Sequence, residues 1–143
     1  MKKILTTIIL ITAMQMTANA QTLTGQAFLQ QTVMGAQQGF GLRIQSQKGW
    51  GLGLMHQANL KSTQESLGEK YPFYGMEAIV PLTKCGNMRF FFTPKAGFVN
   101  EQFFIIMPEV ETEIKITDMF SAAITAGIRA RQSATGIKLL IHL

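Results

Sequence analysis

Apolar and polar residues alternate at every second position along almost the whole chain after residue 20, and this period constrains the fold more than any other feature. In the segment FSAAITAGIR, Ile124 and Ile128 fall on one side, and Thr125 and Arg129 on the other. A period of two puts successive side chains on opposite faces of a β-strand, whereas an amphipathic helix repeats at i, i+3, i+4 and i+7. No segment of useful length keeps the helical spacing, so the sequence predicts an all-β fold.

Eight segments carry this alternation, and we predict one strand from each. They are residues 23–33, 38–46, 49–60, 71–82, 87–98, 102–116, 120–131 and 134–143. Most have about eight to twelve residues, longer than the usual soluble strand and close to the length that crosses a bilayer at a tilt. An even number of long strands with short connections predicts an up-and-down barrel that closes on itself.

The first 20 residues have the order of a secretory signal peptide. Lys2 and Lys3 precede the apolar stretch ILTTIILITAM, and the small-residue triplet ANA ends at Ala20. The apolar stretch is about 12 residues long, shorter than the roughly 20 that span a membrane as a helix. We therefore predict cleavage of residues 1–20, export, and a single mature domain of residues 21–143.

Composition narrows the function classes of the mature domain. Two of the 13 Lys and Arg lie in the signal peptide, so 11 remain against 8 Asp and Glu, a net charge of +3. These cations are scattered, whereas a nucleic-acid site needs a clustered basic face. Cys85 is the one cysteine, which excludes an intrachain disulfide and a metal site built from cysteines. We expect no nucleic-acid partner, no cofactor and no metal.

Turn positions predict the register of neighbouring strands. A turn near Glu101 sets Phe98 against Phe104 and Arg89 against Glu113. A turn at residues 117–119 places Glu109 diagonal to Arg129 on the following strand.

Two further turns place long cations opposite glycines. A three-residue loop at 46–48 sets Arg43 against Gly51, and a two-residue turn at 132–133 sets Arg129 against Gly136 and Lys138 against Gly127. A glycine leaves room for the long side chain across from it.

Charged residues collect on one face of this sheet. The predicted ion-pair set is Arg43, Glu77, Arg89, Lys95, Glu109, Glu111, Glu113, Lys115, Arg129 and Lys138. Three of its acids lie in a row on one strand, roughly 7 Å apart, which also suits a cation site or an acid and base pair. We favour a structural ion-pair network because cations are placed to neutralise these acids.

Alternation alone does not say which face points outward. In a soluble barrel the apolar face fills the centre, whereas in a membrane barrel it meets lipid and the charges fill a closed interior. Small residues share the parity of the charges, where a narrow eight-stranded interior needs room. We therefore predict an eight-stranded antiparallel up-and-down transmembrane β-barrel.

Residues 21–143, and the closing SATGIKLLIHL in particular, resemble the small eight-stranded outer-membrane barrels of Gram-negative bacteria. The resemblance implies an outer-membrane location, contact with outer-membrane lipid, assembly from the C-terminal strand, and a structural, adhesive or stress-related role. A conjugation-associated outer-membrane protein is a narrower alternative. Leu143 departs from the Phe that ends many members. Pro94 and Pro108 each remove a ladder donor, so they predict a bulge or a break.

Catalytic candidates are few. A serine hydrolase needs a serine nucleophile and a histidine base, and the candidates are Ser62, Ser66 and His56. However, His56 has the parity of Leu54, which is predicted to face lipid. His142 has the parity of the polar face. We expect no catalytic site.

One outward loop is long enough to contact an envelope protein partner. It consists of Lys61, Ser62, Thr63, Gln64, Glu65, Ser66, Leu67, Gly68, Glu69 and Lys70. The other outward connections, near 35–38, 100 and 132, are short, and an open pore is not expected in a barrel of eight strands.

Three functions stay open. The leading one is a non-enzymatic outer-membrane barrel with a structural or interaction role in the cell envelope. The second is a soluble secreted carrier of a small apolar ligand, in which the apolar face points inward and the charged face points to water. Its centre would be lined by Phe40, Leu42, Leu52, Phe90, Ile106 and Ile124. The third is an enzyme that modifies lipid A.

Overall fold

Eight antiparallel strands make up the described chain. The structure, a computed structural model, describes residues 20–32, 35–60, 72–99, 103–129 and 131–143. The strands are β1 (Ala20–Thr32), β2 (Gly35–Ser46), β3 (Gly51–Asn59), β4 (Phe73–Cys85), β5 (Met88–Phe92 and Lys95–Val99), β6 (Phe103–Met107 and Glu109–Lys115), β7 (Phe120–Arg129) and β8 (Gln132–His142). The predicted all-β architecture is confirmed. Within these residues, no helix has the length and apolar character needed to cross a membrane. The predicted signal peptide lies outside the described residues except for Ala20, where β1 begins.

Each strand pairs with its two neighbours, and β1 pairs with β8, so the sheet closes into a barrel. Following opposite residues once around from Phe104 on β6, through Ala27 on β1, returns to β6 at Ile114. The displacement from position 104 to position 114 is a shear of 10 residues. For eight strands, the usual rise and spacing then give a strand tilt of about 40° to the barrel axis. This tilt is in the range of membrane-spanning barrels.

Pro94 and Pro108 interrupt β5 and β6 without breaking the barrel. They face each other, and the register between the two strands is the same on both sides of the interruption. The Pro94 carbonyl accepts a hydrogen bond from the Ala78 N–H at 3.0 Å, and the Pro108 carbonyl accepts one from the Ile128 N–H at 3.0 Å. Each proline thus removes one backbone hydrogen-bond donor, Pro94 towards β4 and Pro108 towards β7, and the register stays unchanged.

The predicted register is correct for β5 and β6 and shifted in two other hairpins. Phe98 lies opposite Phe104, as expected. In the β7–β8 hairpin, however, Arg129 pairs with Gln132, so the turn comes two residues earlier than predicted. Arg131 lies in this turn with φ 68°, a left-handed conformation that suits a tight hairpin but that a sequence without glycine there does not indicate.

The predicted cation–glycine pairs change with these shifts. Lys138 lies opposite Ala123, so its expected pairing with Gly127 is wrong, as is the pairing of Arg129 with Gly136. In the β2–β3 hairpin the turn moves by one residue, and Arg43 faces Gly53 instead of Gly51. Because the opposite residue moves by two or four positions, every side chain keeps its predicted face.

The apolar face points outward. Phe40 is 64% exposed and Ile124 60%, whereas Arg43 and Glu111 are each 1% exposed. The interpretation as a soluble carrier is therefore wrong. The residues expected to line its centre share the outward parity: Phe40, Leu42, Leu52, Phe90, Ile106 and Ile124.

Candidate functional site: the barrel interior

An apolar cluster fills part of the interior near the end where β3 leads to β4, which we call the loop end. It consists of Phe28, Met55, Phe73, Val99 and Met107. The Lys95 ammonium lies 5.4 Å from the centre of the Phe28 ring, close enough for a cation–π contact that links this cluster to the charges. The alternation did not predict the cluster, since inward positions were expected to be polar.

Arg43 on β2 lies at the centre of the charged interior. Its Nε donates to Glu77 Oε1 at 2.5 Å and its Nη2 to Glu77 Oε2 at 3.2 Å. Its Nη1 and Nη2 each donate to Glu111, both at 2.7 Å. One guanidinium therefore bridges β4 and β6 by two bidentate contacts, the strongest geometry for an arginine and a carboxylate. Gly53 faces Arg43, and a Cβ there would come within 2.8 Å of Glu77 Oε1.

Two lysines extend these contacts into a closed network. Lys138 Nζ lies 2.5 Å from Glu111 Oε2 and 3.2 Å from Glu109 Oε1. Lys95 Nζ lies 2.7 Å from Glu109 Oε2. Amides of the inward face add bonds to the same carboxylates, since Gln26 donates to Glu77 at 2.6 Å.

This central network is electrically neutral. It holds three cations and three carboxylates: Arg43, Lys95, Lys138, Glu77, Glu109 and Glu111. None of the six is more than 4% exposed. A buried pair adds little compared with apolar packing, but removing one partner costs about 3–5 kcal/mol because it strands the other charge. The network thus ties five strands (β2, β4, β5, β6 and β8) to one arrangement of charges.

A second polar cluster lies near the opposite end, where the chain turns at 47–49, 86–87 and 117–119, and which we call the turn end. His142 Nε2 lies 2.8 Å from Ser121 Oγ, and Nδ1 lies 3.0 Å from Thr24 Oγ1. Glu113 Oε1 is 3.5 Å from Nε2 and also pairs with Arg89. The sequence placed His142 on the polar face but did not predict its contact with Ser121.

This cluster does not have the geometry of a hydrolase. Ser121 is fully buried, and Glu113 approaches the ring nitrogen that also contacts the serine. In a catalytic triad the carboxylate instead holds the far nitrogen. A hydroxyl, that of Thr24, takes the far position here. These contacts satisfy buried polar groups at the turn end.

Polar contacts also continue towards the loop end. Arg129 donates to Gln37, and its guanidinium lies 6.0 Å from the centre of the Phe73 ring. Gln57 donates to the same Gln37 oxygen and, at 2.8 Å, to Gln30.

One residue of the predicted ion-pair set lies outside the interior. Lys115 has the inward parity, but it is exposed and pairs with Asp118 at 2.6 Å beside the β6–β7 turn. It reaches water because β6 ends there. The other nine lie inside, Arg89 being partly exposed.

Three other predictions concern the long loop, the connection near residues 35–38 and His56. The loop of residues 61–70, with Ser62 and Ser66, lies outside the described residues. Residues 35–38, expected in a connection, belong to β2. His56 faces outward and stacks on Tyr74 with 4.4 Å between ring centres. In the described part of the chain, no group of three His, Cys, Asp or Glu is arranged to hold a metal ion.

Comparisons with known proteins agree with this geometry at the level of the fold. No family model matches the chain, and no curated protein matches it by sequence. A structure from the de novo design of transmembrane β-barrels aligns with a TM-score of 0.73 at 7% identity, over 87% of this chain and 97% of the other. The solution NMR structure of the designed barrel TMB2.3 aligns with a TM-score of 0.70 at 8% identity, over 87% and 96%.

A natural protein also aligns, with a lower score. It is Ail, the attachment invasion locus protein of Yersinia pestis, solved in complex with the heparin analogue sucrose octasulfate. The TM-score is 0.49 at 6% identity, over 85% of this chain and 95% of the other. At such identities the designed barrels establish the fold: the chain is a closed eight-stranded antiparallel barrel similar to transmembrane β-barrels.

Proposed function

We propose that the protein is an outer-membrane β-barrel of a Gram-negative cell envelope, with a structural or interaction role and no enzymatic activity. The observation that carries the proposal is the inverted distribution of side chains. Charges such as Arg43 and Glu111 are buried, while large apolar side chains on every strand are exposed. Soluble proteins rarely expose apolar patches beyond a few hundred Å², whereas a transmembrane barrel has an outward apolar face that contacts lipid.

The filled interior favours a role at the surface of the barrel. The charged network and the apolar cluster occupy positions that would line a channel or ligand cavity. Loops carry most binding functions on rigid scaffolds. The loop of residues 61–70 is our candidate for contact with an envelope protein partner. No observation favours the narrower conjugation-associated role.

The positions of two catalytic candidates support the proposal of no enzymatic activity. His56 packs between Phe40 and Tyr74 on the outer face, and the buried Ser121 is inaccessible to a lipid substrate. Overexpression should leave the mass spectrum of lipid A unchanged. A new acyl or sugar modification that depends on this protein would overturn the assignment.

Fractionation of expressing cells tests the location. We expect the protein in the outer-membrane fraction, and we expect its mobility on a denaturing gel to change on boiling, because a closed barrel resists detergent until heated. Recovery in the periplasm or medium, with one mobility before and after boiling, would contradict the proposal.

A further inference from the structure

The pairing of β1 with β8 closes the barrel, and at the turn end this seam is held by His142 and the residue after it. The His142 N–H donates to the Met119 carbonyl at 2.8 Å, and the Leu143 N–H donates to the Leu23 carbonyl at 2.8 Å. Strand ends separate readily unless such contacts tie them down. The His142 side chain lies at this point, opposite Thr24 on β1, so its contacts bear directly on the closure of the sheet.

The imidazole of His142 bridges the two strands on either side of β8. Its Nδ1 lies 3.0 Å from Thr24 Oγ1 on β1, and its Nε2 lies 2.8 Å from Ser121 Oγ on β7. Both hydroxyls are fully buried, so each needs a partner within the protein. A third strand, β6, contributes Glu113, whose Oε1 is 3.5 Å from Nε2. One side chain thus joins β1, β6 and β7 at the end of β8.

The hydrogen bonds of this bridge suit a neutral ring. A carboxylate favours the proton on the ring nitrogen that faces it, so we assign the proton to Nε2, where it points towards Ser121 and Glu113. Nδ1 then accepts the hydroxyl proton of Thr24. A second proton, on Nδ1, makes both ring nitrogens donors, and the hydroxyl proton of Thr24 loses this acceptor. A buried donor that loses its partner destabilises the fold.

The charges around the ring also oppose a second proton. Three cations act on a charge at this position, from β5, β6 and β2: Arg89, Lys115 and Arg43. Each of them already has an acid, namely Glu113 for Arg89, Asp118 for Lys115, and the carboxylates of the neutral central network for Arg43. The groups that face the ring from β1 and β7 are uncharged hydroxyls. A doubly protonated ring therefore adds one positive charge that the acids around it do not balance.

We propose that His142 is a pH-sensitive latch on the closing seam of the barrel. While the ring is neutral it ties β8 to β1 and β7, and its protonation in acid weakens these contacts and loosens the turn end of the seam. In the unfolded chain a histidine takes up its second proton near about pH 6.5, and the folded barrel resists that proton. The stability that the latch contributes is therefore present above about pH 6.5 and is lost as the pH falls below it.

Urea unfolding of the barrel in phosphatidylcholine vesicles, repeated across the pH range in which histidine titrates, tests the latch. The fluorescence of Trp50 reports unfolding. We expect the folding equilibrium constant to fall by up to about tenfold for each pH unit below about 6.5, the limit set by one proton. His142→Gln keeps a hydrogen-bonding side chain that cannot take up a proton, and it should make this fall clearly shallower. His56→Gln is the matched control, because the other histidine of the chain lies on the outer face, and its pH profile should follow that of the unmodified protein.

A second measurement decides the question if His142→Gln does not fold. In the unmodified protein with ¹⁵N-labelled histidine, NMR in detergent should show one protonated and one unprotonated ring nitrogen for His142 at about pH 6, where an ordinary histidine is mostly doubly protonated. The His56→Gln variant identifies which signals belong to His142. A doubly protonated His142 ring at that pH would refute the latch. So would the same pH profile in the unmodified protein and in His142→Gln, or a barrel that His142 makes more stable in acid.

Discussion

Replacement of Arg43 by Met should strongly destabilise the barrel. The change removes four hydrogen bonds, two to Glu77 and two to Glu111. Glu111 keeps Lys138 at 2.5 Å and Glu77 keeps Gln26 at 2.6 Å, but the neutral network gains one uncompensated negative charge. Since breaking a buried ion pair from one side costs about 3–5 kcal/mol, we expect the free energy of unfolding to fall by that amount.

Urea unfolding in lipid vesicles measures this loss. Trp50 is the chain's one tryptophan and is half exposed on the outer face near the turn end, so its fluorescence reports the loss of lipid contact. The matched control is Lys115→Met, which removes an exposed ion pair with Asp118 and should cost no more than about 1 kcal/mol.

A second substitution checks that charge is the cause. In Arg43→Met combined with Glu111→Gln the network is neutral again, and the double variant should recover at least about 1 kcal/mol relative to the sum of the two single changes. Our account of a dry, charge-balanced interior fails if Arg43→Met costs no more than Lys115→Met, or if the double variant shows no recovery.

Two further substitutions and one conductance measurement test the lipid-facing side chains, the packing of the barrel wall and the filled interior. Ile124→Lys puts a charge on the lipid face and should cost about 2–4 kcal/mol and deplete the outer-membrane fraction; normal insertion would argue against lipid contact there. Gly97→Val brings a Cβ into steric clash with the Tyr74 carbonyl oxygen, so we expect a large loss of heat-modifiable protein, while Ala96→Val on the outer face should fold normally. The purified protein should show no discrete conductance steps in planar bilayers, because a barrel of this size fills its own interior; reproducible steps would contradict the packed interior.

Which side chains share a face of the barrel was predictable because this depends only on parity. Inward and outward side chains alternate with a period of two, so an error in turn position leaves the facing intact whenever the opposite residue moves by an even number. The register between β5 and β6 was also predictable. The aromatic pair Phe98 and Phe104 and the ion pair Arg89 and Glu113 both require the same alignment.

Turn positions were harder to predict because they depend on backbone conformation. Gln132 and Ser133 have the composition of a turn, yet the chain turns before Gln132, with Arg131 in a left-handed conformation. Nothing in the residue type of Arg131 indicates this.

Two features of the interior could not be predicted from the alternation of polar and apolar residues. Phe28 and Phe73 point inward because a narrow interior must be filled by volume as well as by charge. The contact between Ser121 and His142 depends on the β7–β8 register, which the turn prediction missed. The exposure of Lys115 depends on where β6 ends.

The most direct test of the account is a cysteine scan along β7 in a variant whose native cysteine is replaced by serine. Single cysteines are treated with a fluorescent maleimide in vesicles that contain brominated lipid. Labels at Ala122, Ile124 and Ala126 should attach and be quenched by the lipid, whereas cysteines at Ser121 and Ala123 should stay unreactive until the barrel is unfolded. Reactive, unquenched labels at the odd positions, or no two-residue period at all, would contradict a barrel with its apolar face in lipid and its charges inside.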